Sequence, residues 1–123
     1  MIEINITIKE AVTYLTARIT EEKRLRIKAG LLPPETKLTR LPYKTLLSLA
    51  EAAAFDLVFL LPTEVFVKES NLTDIITKAF HELANIYGHR EFLYFTRSNA
   101  IKLIEPIKKV IAAAEIQEKY ERN

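Results

Sequence analysis

The chain has 123 residues, 49% of them apolar and 28% charged, with a net charge of +2 and no cysteine. That is the size of one globular domain with one hydrophobic core, and it excludes disulfides, thiolate nucleophiles and cysteine-type zinc sites. Only two glycines are present, Gly30 and Gly88, too few for a hairpin-rich fold or a Gly-rich phosphate loop.

MIEINITI alternates apolar and polar residues, with Ile2, Ile4, Ile6 and Ile8 on one side, the pattern of a short strand over 2–7. Thr7 and Glu10 have the spacing of a helix capping box. Ile8, Ala11/Val12, Leu15 and Ile19 follow at helical spacing and predict a helix over 8–18. Thr20 is placed to cap a second helix over 21–29, or the two run on as one; Gly30 ends the segment in either case. Pro33 and Pro34 break it, and Pro34 suits the first turn of a short helix over 34–41 that Pro42 closes.

From Tyr43, the residues Leu46, Leu49/Ala50, Ala53 and Leu57 predict a helix to 54, with room to reach 61. VFLLPTEVFV is rich in β-branched and aromatic residues and is interrupted by Pro62, which reads as an edge strand over 57–67 paired with the N-terminal one. Ser70 or Asn71 is expected to cap a helix carrying Leu72, Ile75/Ile76, Ala79/Phe80, Leu83 and Ile86/Tyr87, with Gly88 as its stop. REFLYF fits no period. Ser98 is expected to cap a last helix to about 120, with Pro106 inside it. The fold class is mainly α: a compact single domain over 1–123, with five or six helices and, as an option, the small sheet of 2–7 with 57–67.

The most apolar window, TLLSLAEAAAFDLVFLLPTEVFV, contains Glu51, Asp56, Pro62 and Glu64. These are costly in lipid, so the window reads as protein core, no membrane partner is expected, and cytoplasmic is the default location. HELANIYGH opens with His-Glu, but a zincin needs a second histidine four residues on; Asn85 stands there, and His89 lies beyond Gly88. No metal, cofactor or catalytic residue is therefore expected. His81, His89, Arg90 and Tyr94 have the chemistry of a metal-independent nuclease, but their spacing does not single it out, and the chain is read as a non-enzyme.

The charge is uneven. Residues 18–44 hold eight Lys/Arg against three Glu, a patch suited to polyanions or simply to a solvated helix face. Within it LRIKAGL (25–31), PPETKLTRL (33–41) and PYKTLLSLAEAAAFDL (42–57) follow one another. Together they resemble the second to fourth helices of lambda-repressor-like (Cro-type) helix-turn-helix domains over about residues 20–57. The resemblance implies that Gly30 makes the turn, Leu25 and Leu31 are buried, and 34–41 is the recognition helix. The chain departs from the pattern at Arg26, where the family has a small alanine, at its extra proline, at Leu41-Pro42 and at Ala54.

Two functional readings follow. In the first, the chain binds double-stranded DNA as a small transcription-regulator-like protein. Thr36, Lys37, Thr39 and Arg40 face base edges, Arg24, Arg26, Lys28 and Lys44 hold phosphates, and Leu38 and Leu41 point inward. Its 8–61 part is then the helix-turn-helix and its 70–121 part the dimerisation helices, with a homodimer through 98–120 to supply two half-sites. In the second, the chain is a helical protein–protein interaction or assembly protein, viral or phage-borne in type, that binds no nucleic acid, and Gly30 to Pro42 is a connector.

Overall fold

The computed structural model describes residues 6–60 and 69–106, and within them the chain is compact and mainly helical. Four α-helices are present among these residues, rather than five or six, together with two short 3₁₀ turns and no strand. The first helix, α1, spans Ile8–Lys28. Its cap is the expected one: the Glu10 backbone N–H donates to Thr7 Oγ1 at 3.1 Å, and that hydroxyl donates to Glu10 Oε1 at 3.0 Å. Thr20 caps nothing. Its hydroxyl donates to the Thr16 carbonyl at 3.1 Å, so a mid-helix threonine bonds back into its own helix, and 8–28 is a single helix.

Gly30 closes α1 at φ +75°. The Leu31 N–H donates to the Arg26 carbonyl at 2.8 Å and the Gly30 N–H to the Ile27 carbonyl at 3.0 Å, the paired bonds of a Schellman cap, which needs a left-handed residue that glycine adopts without strain.

The expected helix over 34–41 is absent. The Thr36 N–H and hydroxyl both donate to the Pro33 carbonyl, at 3.1 and 2.7 Å, making a turn, and Leu38–Arg40 is one turn of 3₁₀ helix. The two ends are set against a helix. Leu41, ahead of Pro42, is extended at φ −70° and ψ 144°, as the ring of the next residue demands. Too few residues remain between the prolines to offset the cost of nucleating an α-helix.

The second helix, α2, spans Tyr43–Leu60. It overrides the strand expected from 57: Leu57 is buried in the core, so helical packing wins over the β-propensity of its neighbours. The remainder of that strand, 61–67, and residues 2–5 of its expected partner lie outside the described residues. The third helix, α3, spans Glu69–Tyr87, so Ser70 and Asn71 stand inside it rather than at its cap. Gly88, at φ +73°, ends it, and the His89 N–H donates to the Ala84 carbonyl at 3.1 Å.

A second 3₁₀ turn, Arg90–Tyr94, follows, and α4 covers 97–106. Its cap is Thr96 and not Ser98. The Asn99 N–H donates to Thr96 Oγ1 at 3.2 Å, and the Thr96 N–H donates to Asn99 Oδ1 at 2.8 Å. Asparagine thus performs the reciprocal role usually filled by Glu or Gln.

One apolar cluster runs through all four helices. Ala11, Leu15 and Ile19 of α1 meet Leu46, Leu49, Ala50 and Ala53 of α2 and Ile76, Phe80 and Leu83 of α3. Phe80 packs at 4.1 Å between ring centroids on Phe95 and meets Phe92 edge-on at 6.4 Å, and Phe92 in turn meets Tyr43 edge-on at 5.1 Å. Ala100 and Ile104 bring α4 onto the same core. Arg18 of α1 donates from both Nε and Nη2 to Asp56 Oδ2 on α2, at 3.2 and 2.7 Å.

Tyr87, at the end of α3, is 7% exposed, and burial pushes its hydroxyl up to about 12. The unfolded chain releases that proton near pH 10. A raised value is stability present in full below about pH 10 and lost as pH climbs towards 12. Tyr87→Phe is expected to leave stability at pH 7 unchanged within about 1 kcal/mol. It should remove an alkaline loss of at most about 2–3 kcal/mol. Urea melts at pH 7 and 11.5 measure it; an identical alkaline loss in both proteins would assign that loss elsewhere.

Candidate functional site

Along α2, the residues Tyr43, Leu47, Glu51 and Phe55 recur every four positions and so form one stripe down a helix face. Across from it α4 presents Asn99, Lys102, Leu103 and Pro106, and the second 3₁₀ turn closes one end with Glu91, Tyr94 and Phe95. Between them lies a cleft of about 620 Å³. Phe55 is 38% and Tyr94 78% exposed, so two large aromatic side chains at this cleft remain open to solvent. Exposed apolar surface gathered along one cleft, unlike singly scattered residues, is the kind that marks an interaction site.

Partial desolvation against the cleft raises the Glu51 carboxyl from its ordinary value, although the residue stays exposed. Burial, then Glu91 and Glu51 in that order, push the Tyr43 hydroxyl up, so both carboxylates act on one aromatic residue from different elements. His89 sits behind the cleft: its Nε2 donates to the Leu41 carbonyl at 2.8 Å, its ring lies 6.4 Å from Tyr43, and its Nδ1 is 3.8 Å from Glu91 Oε2. His81 donates from Nε2 to the Phe95 carbonyl at 2.7 Å, pinning the second 3₁₀ turn to α3. Both histidines thus join segments of backbone.

The eight residues expected to contact DNA fall on the end of α1, the connector and the start of α2. Thr36, Lys37 and Arg40 line one shallow hollow with Leu32, Pro33 and Leu41. Thr39 is exposed within the first 3₁₀ turn, where Leu38 and Leu41 turn inward as expected. Lys28 and Lys44 are exposed, and Lys28, Lys37, Arg40 and Lys44 have no ion-pair partner among the described residues.

The other cations of the segment are engaged within the protein, two by carboxylates and two by neutral acceptors. Arg24 pairs with Glu21 at 2.6 Å, Arg26 Nη2 donates to Ser48 Oγ at 3.1 Å, and Lys23 Nζ to the Thr36 carbonyl at 3.3 Å. Arg18 holds Asp56 and, at 3.7 Å, Glu22. Two further departures bear on the helix-turn-helix resemblance: Leu25 and Leu31, which it requires to be buried, are 41% and 72% exposed.

Of the cleft residues only Tyr94 figures in the sequence reading as a candidate site residue, in the nuclease set that spacing does not single out. The four-residue recurrence of Tyr43, Leu47, Glu51 and Phe55 was visible, but a glutamate within an apolar stripe reads as the helix edge until a facing wall is known. No family profile, curated protein or solved structure matches this chain.

Proposed function

We propose that this chain is a small helical protein-interaction module, and that the cleft between α2, the second 3₁₀ turn and α4 receives an apolar segment of a partner protein. One observation carries the reading: a preformed groove of about 620 Å³ with aromatic residues open to solvent, the form in which helix bundles take up amphipathic segments. Photo-crosslinking tests it. A benzoylphenylalanine at position 94 should give a discrete protein adduct in the native host, and the same group at the exposed position 9 should not. The same adduct from both positions, or none from 94, removes the reading.

A second reading, contact with double-stranded DNA, is supported by the exposed and unpaired Lys28, Lys37, Arg40 and Lys44. With no α-helix over 34–41, these contacts are to phosphates rather than to base edges in the major groove. Affinity for any duplex should then fall with salt at a log–log slope of about −3 to −4, close to −0.9 per phosphate for four cations. Absence of binding to a 30-base-pair duplex in about 50 mM salt ends this reading. A homodimer through 98–120 belongs to it. Only 98–106 of that range lie among the described residues, and Ile101 there is 40% exposed. Light scattering decides between a mass of 14.1 kDa and twice that.

A further inference from the structure

The cleft between α2 and α4 is apolar along its length but not neutral. Glu51 enters from α2 and Glu91 from the second 3₁₀ turn, against the single cation Lys102 on α4. Neither carboxylate meets a lysine or arginine among the described residues; the nearest charged-capable group to Glu91 is His89 Nδ1 at 3.8 Å. Glu21, Glu22, Asp56 and Asp74 each lie within 4 Å of an arginine, whereas Glu51 and Glu91 share one cleft without such a partner. Tyr94, 78% exposed, presents an open aromatic ring beside the carboxylates. Two unneutralised carboxylates and an exposed ring face are complementary to a cation on an apolar stem, which gains from both the charge and the ring quadrupole.

Resting on the reading of the cleft as a protein-binding groove, we infer that its occupant is a basic amphipathic segment of a partner protein. A lysine or arginine of that segment sits between Glu51 and Glu91 against Tyr94, and apolar side chains one helical turn away cover Leu47, Phe55 and Leu103. The spacing agrees with a helical ligand. Leu47, Glu51 and Phe55 follow one another at one turn each, a rise of about 6 Å per step, so a helix laid along α2 meets apolar, acidic and apolar ground in succession. The partner's charge is opposite to that of a ligand for the basic segment 18–44, so the two surfaces of this chain select different molecules.

Three 14-residue peptides with leucines at the same helical positions, and with lysine, glutamine or glutamate at every polar position, test the inference. Each is titrated into the full isotope-labelled chain and followed by amide shifts. The lysine peptide is expected to move the signals of Tyr43, Glu51 and Tyr94 and to bind at least about tenfold tighter than the glutamine peptide, the glutamate peptide being weakest. In Glu51→Gln/Glu91→Gln the lysine peptide should fall to the level of the glutamine one; the single Glu91→Gln, at an exposed position, serves if the double variant loses its dispersed spectrum. If glutamine and lysine peptides bind the cleft equally, the groove stands and its preference for a basic partner is overturned. If no peptide moves the cleft signals, both the groove and the preference are overturned.

Discussion

Phe80→Ala is expected to destabilise the chain by about 3–5 kcal/mol, the range for truncating a buried aromatic residue. Phe80 is fully buried on α3 and contacts the rings of Phe92 and Phe95. Its loss would therefore leave a cavity and also release the second 3₁₀ turn from α3. A domain of this size is stable by only about 5–15 kcal/mol, so the variant should melt far below the parent and be largely unfolded in modest urea. Leu93→Ala is the control. Leu93 is 53% exposed in the same turn, and its truncation should cost under about 1 kcal/mol. Urea melts of the three proteins provide the comparison; a loss below about 1 kcal/mol for Phe80→Ala would mean that the aromatic cluster does not hold α3 to the turn.

Ala53→Leu is the second large effect and acts in the opposite sense, by overfilling. Ala50, Ala53 and Ala54 give α2 a small-residue surface that is fully or almost fully buried, and α1 packs against α2. Three added heavy atoms must push the helices apart or force strained rotamers, at about 1–3 kcal/mol or more. Propensity does not offset this, because leucine forms helices nearly as well as alanine. The cleft lies on the other stripe of α2, so a folded Ala53→Leu protein should retain peptide binding while its melting temperature falls. An unchanged melting temperature would show that this helix pair has room to spare.

The helical character of the chain was legible because it is local. The Thr7–Glu10 cap, the glycine stops at 30 and 88, and the stripe Leu72, Ile76, Phe80, Leu83 are read from neighbours within a turn or two, and each stands where its spacing put it. The errors share a cause. Thr20 and Ser98 are good cap residues by type, but a hydroxyl caps only where the chain enters a helix, and both lie where a helix has already begun. Residues 34–41 have turn-forming ends and a helix-forming middle, and the ends prevailed. Leu57 belongs to a segment of high β-propensity, yet its side chain completes the α2 core face.

Sequence by itself determined the class of this protein, mainly helical with one apolar core, and the composition of the 18–44 segment with its eight cations against three acids. Tertiary structure alone decided how many of those cations face outward. Arg18 is drawn to Asp56, 38 residues away, which offsets its charge, and Arg26 to Ser48, 22 away, which holds the guanidinium in place without neutralising it. The same holds for the cleft. Glu51 and Glu91 lie 40 positions apart in the numbering, and only the packing of α2, α4 and the second 3₁₀ turn on one core turns two ordinary surface glutamates into the charged walls of an aromatic groove. Periodicity reports which face of a helix is buried, because that depends on residues a turn apart. Which charges meet across the fold depends on the crossing of distant helices, and no short window of sequence contains it.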